Sequence, residues 1–291
     1  MLYVIIALLP ATVFGIFNFG PRALAVIVIT ICSCVVSEYL FNKITHRKQT
    51  VGDLSCIVTG LLLALNLSST IPFYMCMIGG AFAIIVVKML FGGLGQNFMN
   101  PALGARCFLL LAFTGPMTSF VQVDTISSAT PLSYLANGEL YSNSFAMFTG
   151  RVGGTIGETS VIAILIGAIF LIAMGVIDLR IPGAYILSFA VFVILFGGHL
   201  TDGNLVQFVV QELCGGGLML GAFFMATDYA TSPITPRGKI IYGIVCGCLL
   251  GIFRLFGSSA EGCSYSIIFA NMLVPLIERI TVPKPFGKGG E

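Results

Sequence analysis

Asp124-Thr125-Ile126-Ser127-Ser128-Ala129-Thr130-Pro131-Leu132 is the run whose residue types offer most to chemistry. Pro131 disfavours a helical backbone at Thr130 and pushes it towards an extended conformation, which leaves the Thr130 hydroxyl accessible. By residue type alone, a solvated Ser/Thr-rich turn is the simpler reading. A second run, Gly153-Gly154-Thr155-Ile156-Gly157-Glu158-Thr159-Ser160, leads into an apolar stretch. A Gly-rich approach to a helix start presents N–H groups and a positive dipole end to an anion. The same residues serve equally as a flexible connector, with Thr159 or Ser160 as an ordinary N-cap.

Other polar residues stand close to apolar segments. Asn100-Pro101 has the pattern of a helix start, an Asn cap followed by Pro in the first turn. The irregular stretch Gly92-Gly93-Leu94-Gly95-Gln96-Asn97 precedes it, so Gln96, Asn97 and Asn100 either line a polar path or satisfy one another. Asp228 ends a short apolar segment, where a carboxylate is costly and usually functional unless water reaches it. Cys32-x-Cys34 and Cys246-x-Cys248 fall on expected helices, where side chains two apart diverge by about 200° and cannot share a metal. His46 and His199 are isolated on opposite faces, and no metal site is expected.

The elements that must position these residues are apolar. The 291 residues are 57% hydrophobic and 9% charged, with 9 Cys and a net charge of +2; mean hydropathy is +1.02. Soluble domains carry about 25% charged residues, so the chain is expected in a membrane, and the scarcity of cations sets nucleic-acid binding aside. Most of the Cys lie in apolar runs, where thiols act as small hydrophobes and not as a disulfide framework. Leu2 to Phe17 lacks a basic leader and a cleavage site, and is expected as a retained span in a chain that starts at or near Met1.

Apolar stretches near 2–17, 22–40, 53–67, 73–91, 101–114, 159–178, 182–197, 213–227, 239–256 and 264–280 predict an all-α polytopic membrane protein of about ten transmembrane helices. Several are shorter than the roughly 20 residues a spanning helix needs, which predicts broken or tilted spans. The expected division is a first five-helix half over 1–114, a loop over 115–158, a second five-helix half over 159–283 and a tail over 284–291. With the N-terminus in the cytoplasm, the inner loops collect Lys43, Arg47, Lys48, Arg180, Arg237, Lys239, Arg279, Lys284 and Lys288, whereas the outer side holds only Arg22, Arg151 and, near a span end, Arg254. That asymmetry predicts cytoplasmic termini and a 115–158 loop on the outer face. Lys88 is expected to snorkel from the inner end of its span.

Gly60 to Pro72 aligns with Gly221 to Pro233 without a gap, matching at Gly, Thr and Pro, and Leu90-Phe91-Gly92 recurs as Leu255-Phe256-Gly257. Each match has the same ordinal place in a five-span half, and because five is odd the halves must be inverted. Short paired segments in inverted halves point to a permeation site near the midplane, which makes Asn66 and Asp228 near-equivalent turn residues. Well packed small-residue helices explain the same pattern.

The 124–130 run fits a flavinylation motif, Asp-x-x-[Ser/Thr/Ala]-[Gly/Ser]-Ala-Thr, at every position. With Ala7-Leu-Leu-Pro10-Ala, Val58-Thr-Gly-Leu-Leu-Leu-Ala-Leu65, Phe82 to Lys88, Phe91 to Asn97, Asn100-Pro101-Ala102, Gly153 to Thr159 and Ala226-Thr-Asp228, the chain resembles the family of D subunits of the Rnf electron-transport complex and, more distantly, the B subunit of the sodium-pumping NADH:quinone reductase. The resemblance implies a urea-transporter-like fold of two inverted five-helix repeats. It further implies FMN joined by a phosphoester to Thr130, with Asp124, Ser127, Ser128 and Ala129 recognised by a flavin transferase and Gly153, Gly154, Thr155, Gly157 and Glu158 near the flavin. A second, non-covalent flavin is left open. The implied role is an electron relay coupled to Na⁺ or H⁺ passage near Asp228, Asn66, Gln96, Asn97 and Asn100. It would work in the bacterial inner membrane beside the other integral subunits, an outer-face flavoprotein subunit and cytoplasmic iron–sulfur and NAD-binding subunits. The chain would not be catalytic alone. A passive channel for a small neutral solute is the competing expectation.

Overall fold

A computed structural model describes residues 1–120, 130–136, 140–141, 144–197, 204–257 and 262–283. The chain starts with α1 (Leu2–Phe19) and α2 (Pro21–Ile44), followed by α3 (Ser55–Leu65). Next come α4 (Phe73–Ala81), which continues as wider π-helical turns over Phe82–Met89, and α5 (Pro101–Ala112). Three short helices, α6 (Thr114–Thr118), α7 (Pro131–Ala136) and α8 (Ser144–Thr149), occupy the region expected as a loop. The second part holds α9 (Val161–Ala173), α10 (Arg180–Phe196), α11 (Leu205–Cys214), α12 (Leu218–Leu220, with π-helical turns over Gly221–Met225), α13 (Pro236–Leu255) and α14 (Cys263–Thr281).

By length and composition α1, α2, α13 and α14 can each cross a membrane, and α11 with α12 forms a fifth candidate bent by 59°. α3, α4 with its π segment, α5, α9 and α10 are shorter apolar helices. The apolar stretch 213–227 is therefore only the second limb of a broken helix that starts at Leu205, a start that Asn204 and Gln207 concealed in the sequence. Helix boundaries elsewhere follow local chemistry. Gly20, at φ 74°, ends α1 in a conformation that suits glycine, and Pro21 opens α2. Asn100 accepts from the N–H groups of Ala102 and Leu103 at the start of α5, and Ser160 accepts from that of Ala163 at the start of α9. Both caps were legible in the sequence.

Small residues set the helix spacing. Gly243, Gly247 and Gly251 form one face of α13, and a side chain on any of them would collide with Ala184, Ser188 or Phe192 of α10. This is the close-approach packing that membrane helices use where water cannot drive association. Two basic residues depart from expectation. Lys88 does not snorkel: the π-helical turns carry it inward, where it is buried against Glu38 of α2. Arg254, counted with the outer charges, does lie near a span end, in the last turn of α13, but it is buried there, donating from Nη1 to Glu212 Oε2 at 2.9 Å.

The feature that positions the site is a meeting of broken elements. α3 has 11 residues and so is about 16 Å long, roughly half a hydrocarbon core. Beyond its end the chain pairs with the Gly-rich run: Gly157 N–H donates to Leu65 O at 2.8 Å and Ile156 N–H to Leu67 O at 3.0 Å. Gly157 is required here, because a Cβ would lie 2.5 Å from that of Leu65. The C-terminus of α12 reaches the same place, with Asn66 Nδ2 3.7 Å from Met225 Sδ.

Candidate functional site

Two cavities lie towards opposite ends of α9. The first is lined by Thr130, Gly153, Gly154, Glu158, Thr159 and the turn Cys214–Gly216. Thr130 is half-buried at its wall. Its carbonyl accepts from the N–H (2.9 Å) and Oγ (2.8 Å) of Ser133, because Pro131 opens α7 and fixes the chain at that point. Thr159, 4% exposed, keeps a hydroxyl that has no hydrogen-bond partner among the described residues. The hydroxyl of Thr155 is likewise unmatched there, though Thr155 does not line the cleft. Glu158 is no part of a flexible connector: it is buried, and Gly217 lacks a side chain where the carboxylate passes.

The second cavity, of about 150 Å³, is lined at the other end by Ser55, Lys88, Asn97, Asn100, Asp228 and Met1. Asp228 lies in the turn after α12, half-buried, with Oδ1 accepting from Ala230 N–H and Oδ2 from Thr231 Oγ1, each at 3.3 Å. Burial holds its carboxyl above the usual aspartate range, and those hydrogen bonds offset only part of the shift. Asn97 is buried, and its Oδ1 has no partner among the described residues. Gln96 does not join this group: Gly95, at φ 86°, turns the chain and leaves Gln96 exposed.

A buried polar chain runs between the cavities. Arg106 Nη1 donates to Glu158 Oε1 at 2.9 Å and to Asn66 Oδ1 at 2.6 Å. Asn66 Nδ2 in turn donates to Leu62 O and reaches Met225, whose carbonyl accepts from Asn100 Nδ2 at 3.3 Å. Thr130, Gly153, Gly154 and Glu158 are thus brought together at one cavity, Asp228, Asn97 and Asn100 at the other, and Asn66 lies between them. Asp124, Ser127, Ser128, Ala129 and His199 lie outside the described residues. Cys32 is exposed whereas Cys34 is buried, as the divergence of helix positions two apart requires.

Sequence reasoning missed Arg106 and the pairing of Lys88 with Glu38. The signal was present: an Arg inside the apolar stretch 101–114 must face protein and find a partner, since lipid offers none.

The model of the NQR2, RnfD, RnfE family matches residues 1–287. The chain is 47% identical to the D subunit of the Na⁺-translocating ferredoxin:NAD⁺ oxidoreductase complex of Acetobacterium woodii, over 98% of this chain and 89% of that relative. It is 40% identical to the D subunit of the proton-translocating ferredoxin:NAD⁺ oxidoreductase complex of Clostridium ljungdahlii, over 98% and 90%. It is 36% identical to the D subunit of an ion-translocating oxidoreductase complex of Methanosarcina acetivorans, over 97% and 90%.

Proposed function

The chain belongs to the NQR2, RnfD, RnfE family, and we propose that it is the D subunit of an Rnf-type ion-translocating ferredoxin:NAD oxidoreductase, with FMN joined by a phosphoester to Thr130. The observation that carries the flavin assignment is the cleft itself. Thr130 shares it with Gly153 and Gly154 and with Thr159, whose buried hydroxyl has no hydrogen-bond partner among the described residues. These residues suit a polar, tethered group: Thr130 would hold it covalently, the Gly153-Gly154 backbone would border it, and Thr159 supplies a hydroxyl able to donate or accept. Bound there, FMN would supply one- and two-electron transfer, with a ring whose potential is tuned by its surroundings because the bond is to the phosphate tail.

Placement supports the rest of the reading. The Thr130 cleft faces outward and the Asp228 cavity faces the cytoplasm, because the basic residues of the loops cluster at the Asp228 end. Both termini would then be cytoplasmic, in a bacterial inner membrane. The shorter helices complete ten spans in two inverted halves, 1–114 and 159–283, whose broken members α3 and α12 meet at the midplane, as in inverted-repeat transporters. The translocated cation is Na⁺ or H⁺, and it would enter at Asp228, Asn97 and Asn100. The chain works within its complex, not alone, beside integral, outer flavoprotein, iron–sulfur and NAD-binding subunits and after action of a flavin transferase. The passive-solute reading is not favoured, since relatives covering the whole chain are named as subunits of redox complexes.

Purifying the complex and viewing it on a denaturing gel tests the proposal: the band of this chain should fluoresce as flavin and its intact mass should exceed the sequence mass by one FMN. A dark band of unmodified mass from cells that hold the transferase would overturn it.

A further inference from the structure

A cation moving between the Asp228 cavity and the Thr130 cleft would have to pass where α3 and α12 end against each other. Helix C-termini gather partial negative charge, and the ends of broken helices are where membrane proteins hold cations. In this chain a cation of its own is already there. Arg106, 3% exposed, donates to Asn66, the residue that ends α3, and to Glu158, which lines the Thr130 cleft. On the far side Asn100, which lines the Asp228 cavity, donates to the carbonyl of Met225, the last residue of the α12 turns. A guanidinium remains protonated in proteins, so its charge can be moved or screened but not removed.

We propose that Arg106 is a fixed-cation gate that bars passive passage of Na⁺ or H⁺ between the two cavities, with Glu158 as its latch. The argument is electrostatic. A second positive charge at Asn66 meets the guanidinium directly, while the balancing Glu158 carboxylate lies at the wall of the Thr130 cleft, so a repulsion remains that the buried setting strengthens beyond its value in water. An arginine fixed in a pore is a general means of excluding cations. Glu158 makes the gate responsive, because it is shared between the guanidinium and the wall of the Thr130 cleft. Negative charge added in that cleft draws Arg106 away from Asn66 and leaves the Asn66 amide oxygen to a cation arriving from the Asp228 side. The barrier stands on the geometry alone, whereas the identity of the charge in the cleft rests on the flavin reading.

The assembled complex in sealed proteoliposomes, with no electron donor present, provides the test. Arg106→Gln removes the guanidinium that pairs with the buried Glu158, so it is combined with Glu158→Gln, while Arg106→Lys keeps the charge. Passive ²²Na⁺ efflux and dye-reported proton leak should rise about tenfold or more in the double variant, the effect of taking about 1.4 kcal/mol off a barrier, and should stay at the wild-type level in Arg106→Lys. A double variant as tight as wild type, or an Arg106→Lys variant as leaky as the double, would overturn the gate. Should the double variant fail to assemble, the single Arg106→Gln variant, which removes the charge alone, is measured in its place; leak above wild type then supports the proposal and wild-type tightness overturns it. Flavin fluorescence read on the same samples keeps the two ideas apart, since a wild-type chain that stays dark sinks the flavin assignment and leaves the donor-free leak assay unaffected.

Discussion

Lys88 Nζ donates to Glu38 Oε2 at 2.6 Å, and neither side chain is more than 2% exposed. The pair ties the π-helical turns after α4 to α2, and Lys88 also donates to Ser55 at the start of α3 while Thr50 donates to the other oxygen of Glu38. Removing one partner of such a buried pair leaves a charge with no compensation, at a cost of about 3–5 kcal/mol, whereas removing both costs far less. Lys88→Met and Glu38→Gln should each lower the unfolding temperature of the detergent-solubilised complex, and the double variant should recover much of the loss. Unfolding of either single variant at the wild-type temperature would show that the pair contributes nothing to the fold.

Thr130→Ala should abolish covalent flavin while the chain still inserts and assembles, because a half-buried hydroxyl at a cleft wall contributes little packing. Peptide mapping of the wild type should place FMN on the fragment from Asp124 to Leu132, and FMN on another residue would displace the assignment. Asp124→Ala should lower flavin content through poorer recognition by the transferase; full occupancy in that variant would remove the role given to Asp124.

The helices and the groups that reveal themselves by local pattern were legible in the sequence: the Asn100 and Ser160 caps, the short α3, and the turn holding Asp228. What was not legible depends on tertiary pairing. Nothing in the run Gly153 to Ser160 says that Glu158 turns inward to Arg106, since the two are brought together only when Gly157 packs on Leu65. Lys88 reads as a snorkelling span-end residue because the π-helical turns that redirect it leave no mark on a 3.6-residue pattern. α11 was missed because polar residues at its start mask an apolar face that becomes continuous only with α12.

Topology is open to a labelling experiment. In a variant without native cysteines, a single thiol in place of Ser127 should react with an impermeant reagent added outside intact cells, and one in place of the exposed Lys48 should react only after the membrane is opened. The reverse pattern would put the Thr130 cleft on the cytoplasmic face and break the proposed electron path.

Asp228→Asn should reduce ion translocation at unchanged flavin content, because the carboxylate lines the cavity a cation would enter, and its two weak hydrogen bonds, at 3.3 Å each, leave room for a competing ligand. The pH dependence separates this from a structural effect. Burial raises the carboxyl above its ordinary value of 3.8, so as pH falls Asp228 takes up its proton sooner than an exposed aspartate would. The carboxylate offered to a cation is present above the raised value and lost below it. Wild-type Na⁺- or H⁺-coupled transport in vesicles should therefore decline on the acid side with a limb that Asp228→Asn lacks, while electron transfer to an artificial acceptor keeps its profile in both. Equal pumping by Asp228→Asn and wild type at matched FMN would make Asp228 a turn-capping residue, and the cation entrance would then be sought at Asn97 and Asn100.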